Sequence, residues 1–204
     1  MALTMSQDAP PLPIVIVDYD PRWPGMFAEE SARIVDAIGE WLKGIQHIGS
    51  TSVPGLAAKP IVDIMPGLRS LDDAPQFVPA MEAIGYQYIP EYEDNLPERR
   101  YFVRPPGRGY HIERLFHVHA VETTSTFWQR HLAFRDNLRA HPDACEEYAA
   151  LKRRLATEYG PDREGYTEAK SEFIRGIEEK AAAAPSPSSS AAERGTPIIN
   201  QNSQ

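Results

Sequence analysis

The sequence predicts an α+β fold, in which a small mixed sheet with flanking helices is followed by a helical C-terminal half. Three observations carry that reading. Short runs of β-branched and apolar residues, such as 45–48 and 61–65, have the length of strands and not of helices. Between them lie longer stretches with apolar residues at threes and fours. From Thr123 onward the pattern is helical only.

Taken in order, residues 1–12 form a flexible leader, and 13–17 is a short apolar run of β-branched residues ended by Asp18-Tyr19-Asp20-Pro21. Residues 22–43 place Phe27, Ile34, Ile38 and Trp41/Leu42 on one helical face, with Gly44 as the stop. Strands follow at 45–48 and 61–65, the second halted by Pro66-Gly67. Asp72-Asp73 opens a helix bearing Phe77, Met81 and Ile84, and Gly85 caps it. Residues 86–89 read as a strand, and 90–98 as an acidic, proline-marked loop. Residues 99–104 and 110–121 then alternate as a hairpin around Pro105-Pro106-Gly107-Arg108-Gly109. Helices are expected at 124–140, 142–159 and 162–180, with Pro142 and Pro161 in first turns. One domain over 13–182 and a disordered tail over 183–204, rich in Ala, Ser, Pro, Asn and Gln, complete the organisation.

Composition narrows the function. The chain has 204 residues, 42% hydrophobic, enough for a proper core, and a net charge of −8. An acidic balance argues against nucleic acid as a partner, because such proteins carry a basic footprint. The lone Cys145 excludes an internal disulfide and any cysteine-rich zinc site. No basic-then-apolar leader is visible, and no window approaches the roughly 20 apolar residues of a membrane span, so no membrane association and a cytoplasmic location are expected.

The chemistry concentrates in His47-Ile48-Gly49-Ser50-Thr51-Ser52 and the strand that follows. Gly49 permits a backbone turn that a Cβ would resist, letting N–H groups and the hydroxyls of Ser50, Thr51 and Ser52 face one spot, as a phosphate requires. Lys59 adds a positive charge. Asp63 sits on an apolar strand, where a carboxylate is costly unless paired or bound to metal. Two readings stand: Asp63 holds a metal, or it accepts hydrogen bonds that fix the loop. His117 and His119, two apart on a strand, share a face with Glu113 and Leu115 and suit a divalent metal or acid–base work. Of Arg99-Arg100, Arg100 is expected to face the cleft and Arg99 the solvent. His47 is read as buried beneath the loop, with proton carriage as the alternative. Arg135 and Arg139, one helical turn apart, either line a channel or pair with Asp136, Asp143 or Glu147. Lys170 could point back at the cleft; His131 and His141 belong to no constellation.

The segment 47–64 resembles the GrpB family of the nucleotidyltransferase-like fold. So do Tyr19-Asp20-Pro21-Arg22-Trp23, Leu115-Phe116-His117-Val118-His119, Ala133-Phe134-Arg135-Asp136-Asn137-Leu138-Arg139, Tyr148-Ala149-Ala150-Leu151-Lys152 and Tyr166-Thr167-Glu168-Ala169-Lys170. The family also occurs as a C-terminal domain of some dephospho-CoA kinases. The resemblance implies metal-dependent nucleotidyl transfer to a small molecule: a nucleoside triphosphate as substrate, Gly49, Ser50, Thr51, Ser52 and Lys59 on its phosphates, and Asp63, Arg100 and His119 as catalytic residues. Active members of the superfamily present Asp-x-Asp to Mg²⁺; here Met65 stands in the second position. Asp63, His117 and His119 together would favour Mn²⁺ or Zn²⁺ over Mg²⁺ alone. An adenylate-forming ligase on the same fold, and a non-catalytic domain that partners another protein, are the alternatives.

Overall fold

The computed structural model describes residues 11–107 and 114–183. Glu113, the start of the predicted 110–121 strand, and the leader and tail beyond these limits lie outside the described residues. Helix α1 (Trp23–Ile38) is followed by a short 3₁₀ turn and then β1 (Leu42–Ile48). β2 (Val62–Leu68), α2 (Ala74–Ala83), β3 (Gln87–Tyr88), β4 (Arg99–Arg104) and β5 (Phe116–Glu122) come next. The helical half is α3 (Thr126–Ala140), α4 (Pro142–Tyr159), α5 (Arg163–Ala169) and α6 (Ser171–Ala183).

The five strands form one sheet in the order β1-β2-β5-β4-β3. β2 and β5 are parallel neighbours at its centre, and the remaining pairs are antiparallel. Because side chains alternate along a strand, each face of this sheet has its own task. Val62, Ile64, Leu68, Phe102, Phe116, Val118 and Ala120 point to one face, where Ile34 and Ile38 of α1 and Phe77 and Met81 of α2 cover them. Asp63, Met65, His117, His119 and Val121 point to the other, where Phe127 and Trp128 of α3 close part of the surface over Ile48, Met65 and Val121.

Residues 13–17 form no strand: the segment is held by a single bridge, Val17 to Ala58, and by Ile14 N–H donating to Gly160 O at 3.1 Å. Three boundaries depart from the sequence reading. α1 stops at Ile38 instead of continuing to residue 43, because Leu42 is already paired with Leu68 in the sheet. Pro66-Gly67 does not end β2; Gly67 is there because Thr123 Cγ2 and Trp128 Cζ3 would lie 2.5 and 2.7 Å from any Cβ. The expected helix over 162–180 is two helices, α5 and α6, meeting at Lys170. No helix among the described residues is long and apolar enough to cross a membrane.

Candidate functional site

Parallel pairing of β2 with β5 sets Asp63 directly opposite His117. Asp63 Oδ1 lies 3.5 Å from His117 Nδ1 and 3.3 Å from His119 Nε2. All three donor atoms fall within 4.8 Å of one another, so one cation could be shared among them. Burial alone would raise the Asp63 pKa, but hydrogen bonds from His117 and His119 outweigh it and hold the carboxyl well below its usual range. Burial lowers the His119 pKa against the opposing pull of Asp63, which favours the neutral imidazole that a metal requires.

The second oxygen of Asp63 explains Gly49. A Cβ on that residue would sit 2.4 Å from Asp63 Oδ2, and the backbone there has φ +69°. Glycine is needed for both reasons. The loop then turns as a 3₁₀ segment over Ser50–Ser52, with Ser52 N–H donating to Gly49 O and Val53 N–H to Ser50 O.

This turn corrects the expectation that three hydroxyls converge. Thr51 Oγ1 donates to Ile61 O at 3.2 Å and Ser52 Oγ to Gly49 O at 2.6 Å, because the turn directs both inward, and both residues are buried. With its hydroxyl hydrogen so used, Thr51 accepts from His47 Nε2 at 3.1 Å. His47 is buried beneath the loop and stacked on Phe27, and burial pulls its pKa to about 4. Ser50 alone turns its hydroxyl outward, where it accepts from Lys152 Nζ at 2.8 Å.

Lys152 carries no site signal of its own in the sequence, although it lies within the Tyr148–Lys152 segment that carries the resemblance. Its side chain is only 2% exposed, its ammonium also donates to Ala57 O, and it lies 4.5 Å from the Tyr148 ring centre. Burial, then the charge of Lys170, pulls its pKa to about 7. Lys170 sits over the Tyr166 ring at 4.3 Å, and burial with the charge of Lys59 brings it also to about 7. Lys59 lies 5.0 Å from the same ring centre, and burial lowers its pKa.

These three lysines, Gly49, Ser50, Asp63 and His117 line one cavity of about 240 Å³. Its other carboxylate, Glu178, is held by Arg130 at 2.8 Å. Among the described residues none of the three ammonium groups pairs with a carboxylate. Buried cations without anions are costly, and burial has already moved the pKa of each of these lysines down. His131, read in the sequence as belonging to nothing, lines the same cavity; it stacks on Phe127 at 3.8 Å and its pKa is about 4 through burial.

The arginines exchange roles relative to expectation. Arg100 faces away from the cleft, ion-paired with Glu93 at 3.3 Å and donating to Pro97 O. Arg99 lies on the Asp63 side, its Nη1 3.2 Å from His119 Nδ1 and its guanidinium over Tyr101. Strand alternation is the cause: Tyr101 pairs with His119, so Arg99 and not Arg100 shares that face. A guanidinium only donates, so His119 Nδ1 accepts and its ring hydrogen is assigned to Nε2, facing Asp63. Arg135 and Arg139 do not line this cavity. Arg135 donates to His47 O and Arg139 to Ser52 O, which clamps the loop from behind, and both lie near Asp136. Met65 is fully buried among Ile48, Val121 and Phe127, so the position two after Asp63 is apolar core.

A profile described as GrpB protein matches residues 13–180. A UPF0157 protein of Bacillus subtilis, YqkA, is 39% identical over 168 residues, which cover 82% of this chain and 47% of that one, so the chain spans about half the length of that relative. The crystal structure of the conserved protein GrpB from Enterococcus faecalis matches with a TM-score of 0.72 and 37% identity over 82% of this chain and 96% of that one. More distantly, a dephospho-CoA kinase of Mycolicibacterium paratuberculosis is 29% identical over 80% of this chain and 44% of its own length.

Proposed function

The chain belongs to the GrpB family, and from its site we propose a metal-dependent enzyme of the nucleotidyl-transfer type that binds the phosphates of a nucleotide or another phosphorylated small molecule. One observation carries the reading: a carboxylate and two imidazoles lie within 4.8 Å of one another, and two of them, Asp63 and His117, line a cavity where three lysines have no carboxylate partner among the described residues.

In this reading Asp63, His117 and His119 hold a divalent ion. Two nitrogen donors and one carboxylate suit Mn²⁺ or Zn²⁺ better than Mg²⁺, and the ion supplies charge neutralisation at a phosphoryl oxygen. The ring hydrogen of His119 then moves from Nε2 to Nδ1, which ends the contact with Arg99. Lys59, Lys152 and Lys170 take up the remaining phosphate charge, including that which develops on pyrophosphate as the bond from the α-phosphorus breaks. The Ser50 hydroxyl, fixed by Lys152, orients the phosphate chain, while Arg135 and Arg139 keep the loop in place. Formation of an adenylate of a carboxylic acid would use the same groups and is recognised by product release on adding an amine.

The test is calorimetry with Mn²⁺, Zn²⁺ and Mg²⁺, followed by incubation with each nucleoside triphosphate and an assay for pyrophosphate. Saturable metal binding that is lost in Asp63→Asn, with nucleotide-dependent pyrophosphate release, is expected. Absence of both metal and nucleotide binding overturns the reading. That result would favour a non-catalytic domain that partners another protein, a role to which the likeness to a dephospho-CoA kinase lends support.

A further inference from the structure

A second, larger cavity of about 770 Å³ adjoins the lysine cavity. Lys59, Ile61 and His117 line both, so the two spaces share one wall. Beyond that wall the lining changes character: Val15, Ile61, Ile89, Tyr101, Val103 and Leu115 make it mostly apolar. The large hydrophobic side chains that are most exposed among the described residues are Val15 at 54%, Leu115 at 46% and Tyr92 at 43%. All three line this cavity. Exposed apolar residues scattered singly need no explanation, but their convergence on one concavity marks a binding surface. The volume falls within the range of small-molecule sites, and the mixture of apolar walls with a few polar groups is their usual make-up. Arg114 supplies a fixed cation at the rim, its guanidinium tied to Pro105 O and Gly107 O.

Resting on the functional reading above, we propose that this cavity binds the acceptor substrate, a small molecule with an aromatic or aliphatic body whose reacting group reaches the lysine cavity beside His117. The body lies against Val15, Tyr92 and Leu115. The junction at Lys59 and His117 places the acceptor group next to the phosphate. Adjacency of the two cavities at Lys59, Ile61 and His117 favours a small molecule over a partner protein, which would cover the mouth without reaching those side chains.

The probe is 8-anilinonaphthalene-1-sulfonate, an apolar ring system with one anionic group, added to the full folded chain. Saturable binding at one site is expected, with enhanced, blue-shifted emission. Val15→Asp and Leu115→Asp, both at exposed positions that folding tolerates, each weaken it about tenfold or more, the scale of placing a charge in an apolar contact. Pyrophosphate and Mn²⁺ affinities, measured on Val15→Asp, stay unchanged, since Val15 lines only the larger cavity. Failure of the wild type to bind the dye, or dye affinity unchanged from the wild type in both variants, overturns the acceptor site while leaving the phosphate site standing. Loss of metal and pyrophosphate binding in the wild type would instead strike the functional reading itself.

Discussion

Two carboxylates occupy opposite faces of the same sheet, and their surroundings differ in kind. Glu30, on α1, is 3% exposed and fully engaged: Arg33 at 2.8 Å, Arg104 at 2.9 Å and the Tyr86 hydroxyl at 2.8 Å surround it. Two permanent cations and a phenol saturate it, and burial, then the Glu30 charge, drives the Tyr86 pKa far up. Asp63 has weaker partners, two imidazoles at 3.3 and 3.5 Å, and it borders a cavity carrying more lysines than carboxylates. A buried charge answered by fixed ions joins helix to sheet. One answered by titratable donors, beside a cavity with more lysines than carboxylates, has the perturbed surroundings that cluster at functional sites.

The comparison breaks most readily at the carboxylates themselves. Asp63→Asn is expected to lower metal affinity at least about 100-fold, since loss of a ligand should exceed the 10–100-fold typical of groups behind the ligands. Calorimetry reads this. Glu30→Gln should do the reverse, costing about 3 kcal/mol and roughly 6–12 °C in Tm with metal affinity intact. If Glu30→Gln weakens metal binding and Asp63→Asn leaves it intact, the distinction fails.

Gly49→Ala comes next. Its Cβ would meet the Asp63 carboxylate, so metal affinity should fall about 10-fold or more. Gly44→Ala, which meets nothing within 4 Å, serves as the control in the same titration.

Lys152→Met should weaken pyrophosphate binding about 10-fold, a little over 1 kcal/mol, in keeping with loss of one charge-assisted contact. The pH dependence has a definite sign. Lys152 is protonated below about 7 and neutral above it, so wild-type pyrophosphate affinity falls as pH rises through 7 and binding there takes up protons. Calorimetry in buffers of different ionisation enthalpy measures that uptake. A pH-independent affinity between 6 and 8 would exclude Lys152 and Lys170 as the anion's partners.

The smallest effect is expected at Arg99. A guanidinium donating to His119 Nδ1 opposes the tautomer that a metal needs at Nε2. Arg99→Met should therefore tighten Mn²⁺ binding by a few-fold, on the order of 1 kcal/mol. Weaker binding would mean that Arg99 supports the donor set.

Much of this architecture is legible in the linear chain. Periodicity locates α4, bounded by Pro142 and Gly160, and the core positions Ile34, Phe77 and Met81. Asp63, His117 and His119 are legible too, because a carboxylate and a His-x-His pair on apolar strands carry a solvation cost that needs an answer. What escapes is whatever depends on register or distance. Arg99 and Arg100 are indistinguishable until β4 is set against β5. Thr51 and Ser52 look like phosphate ligands until the turn consumes their hydroxyls. Lys152 sits in an ordinary amphipathic helix pattern and lies about a hundred residues from the Ser50 it contacts.

By itself, then, the amino-acid sequence determined the α+β class, the helical C-terminal half and the chemical types at the site, because hydrophobic periodicity and the cost of burying charge act locally. Only the tertiary structure decided which cations face Asp63, that Gly49 is required by a carboxylate and not merely by a turn, and that two cavities meet at His117. Those outcomes depend on parallel pairing of β2 with β5 and on helices folded back across one sheet face, and contacts between residues so distant in sequence leave no local pattern.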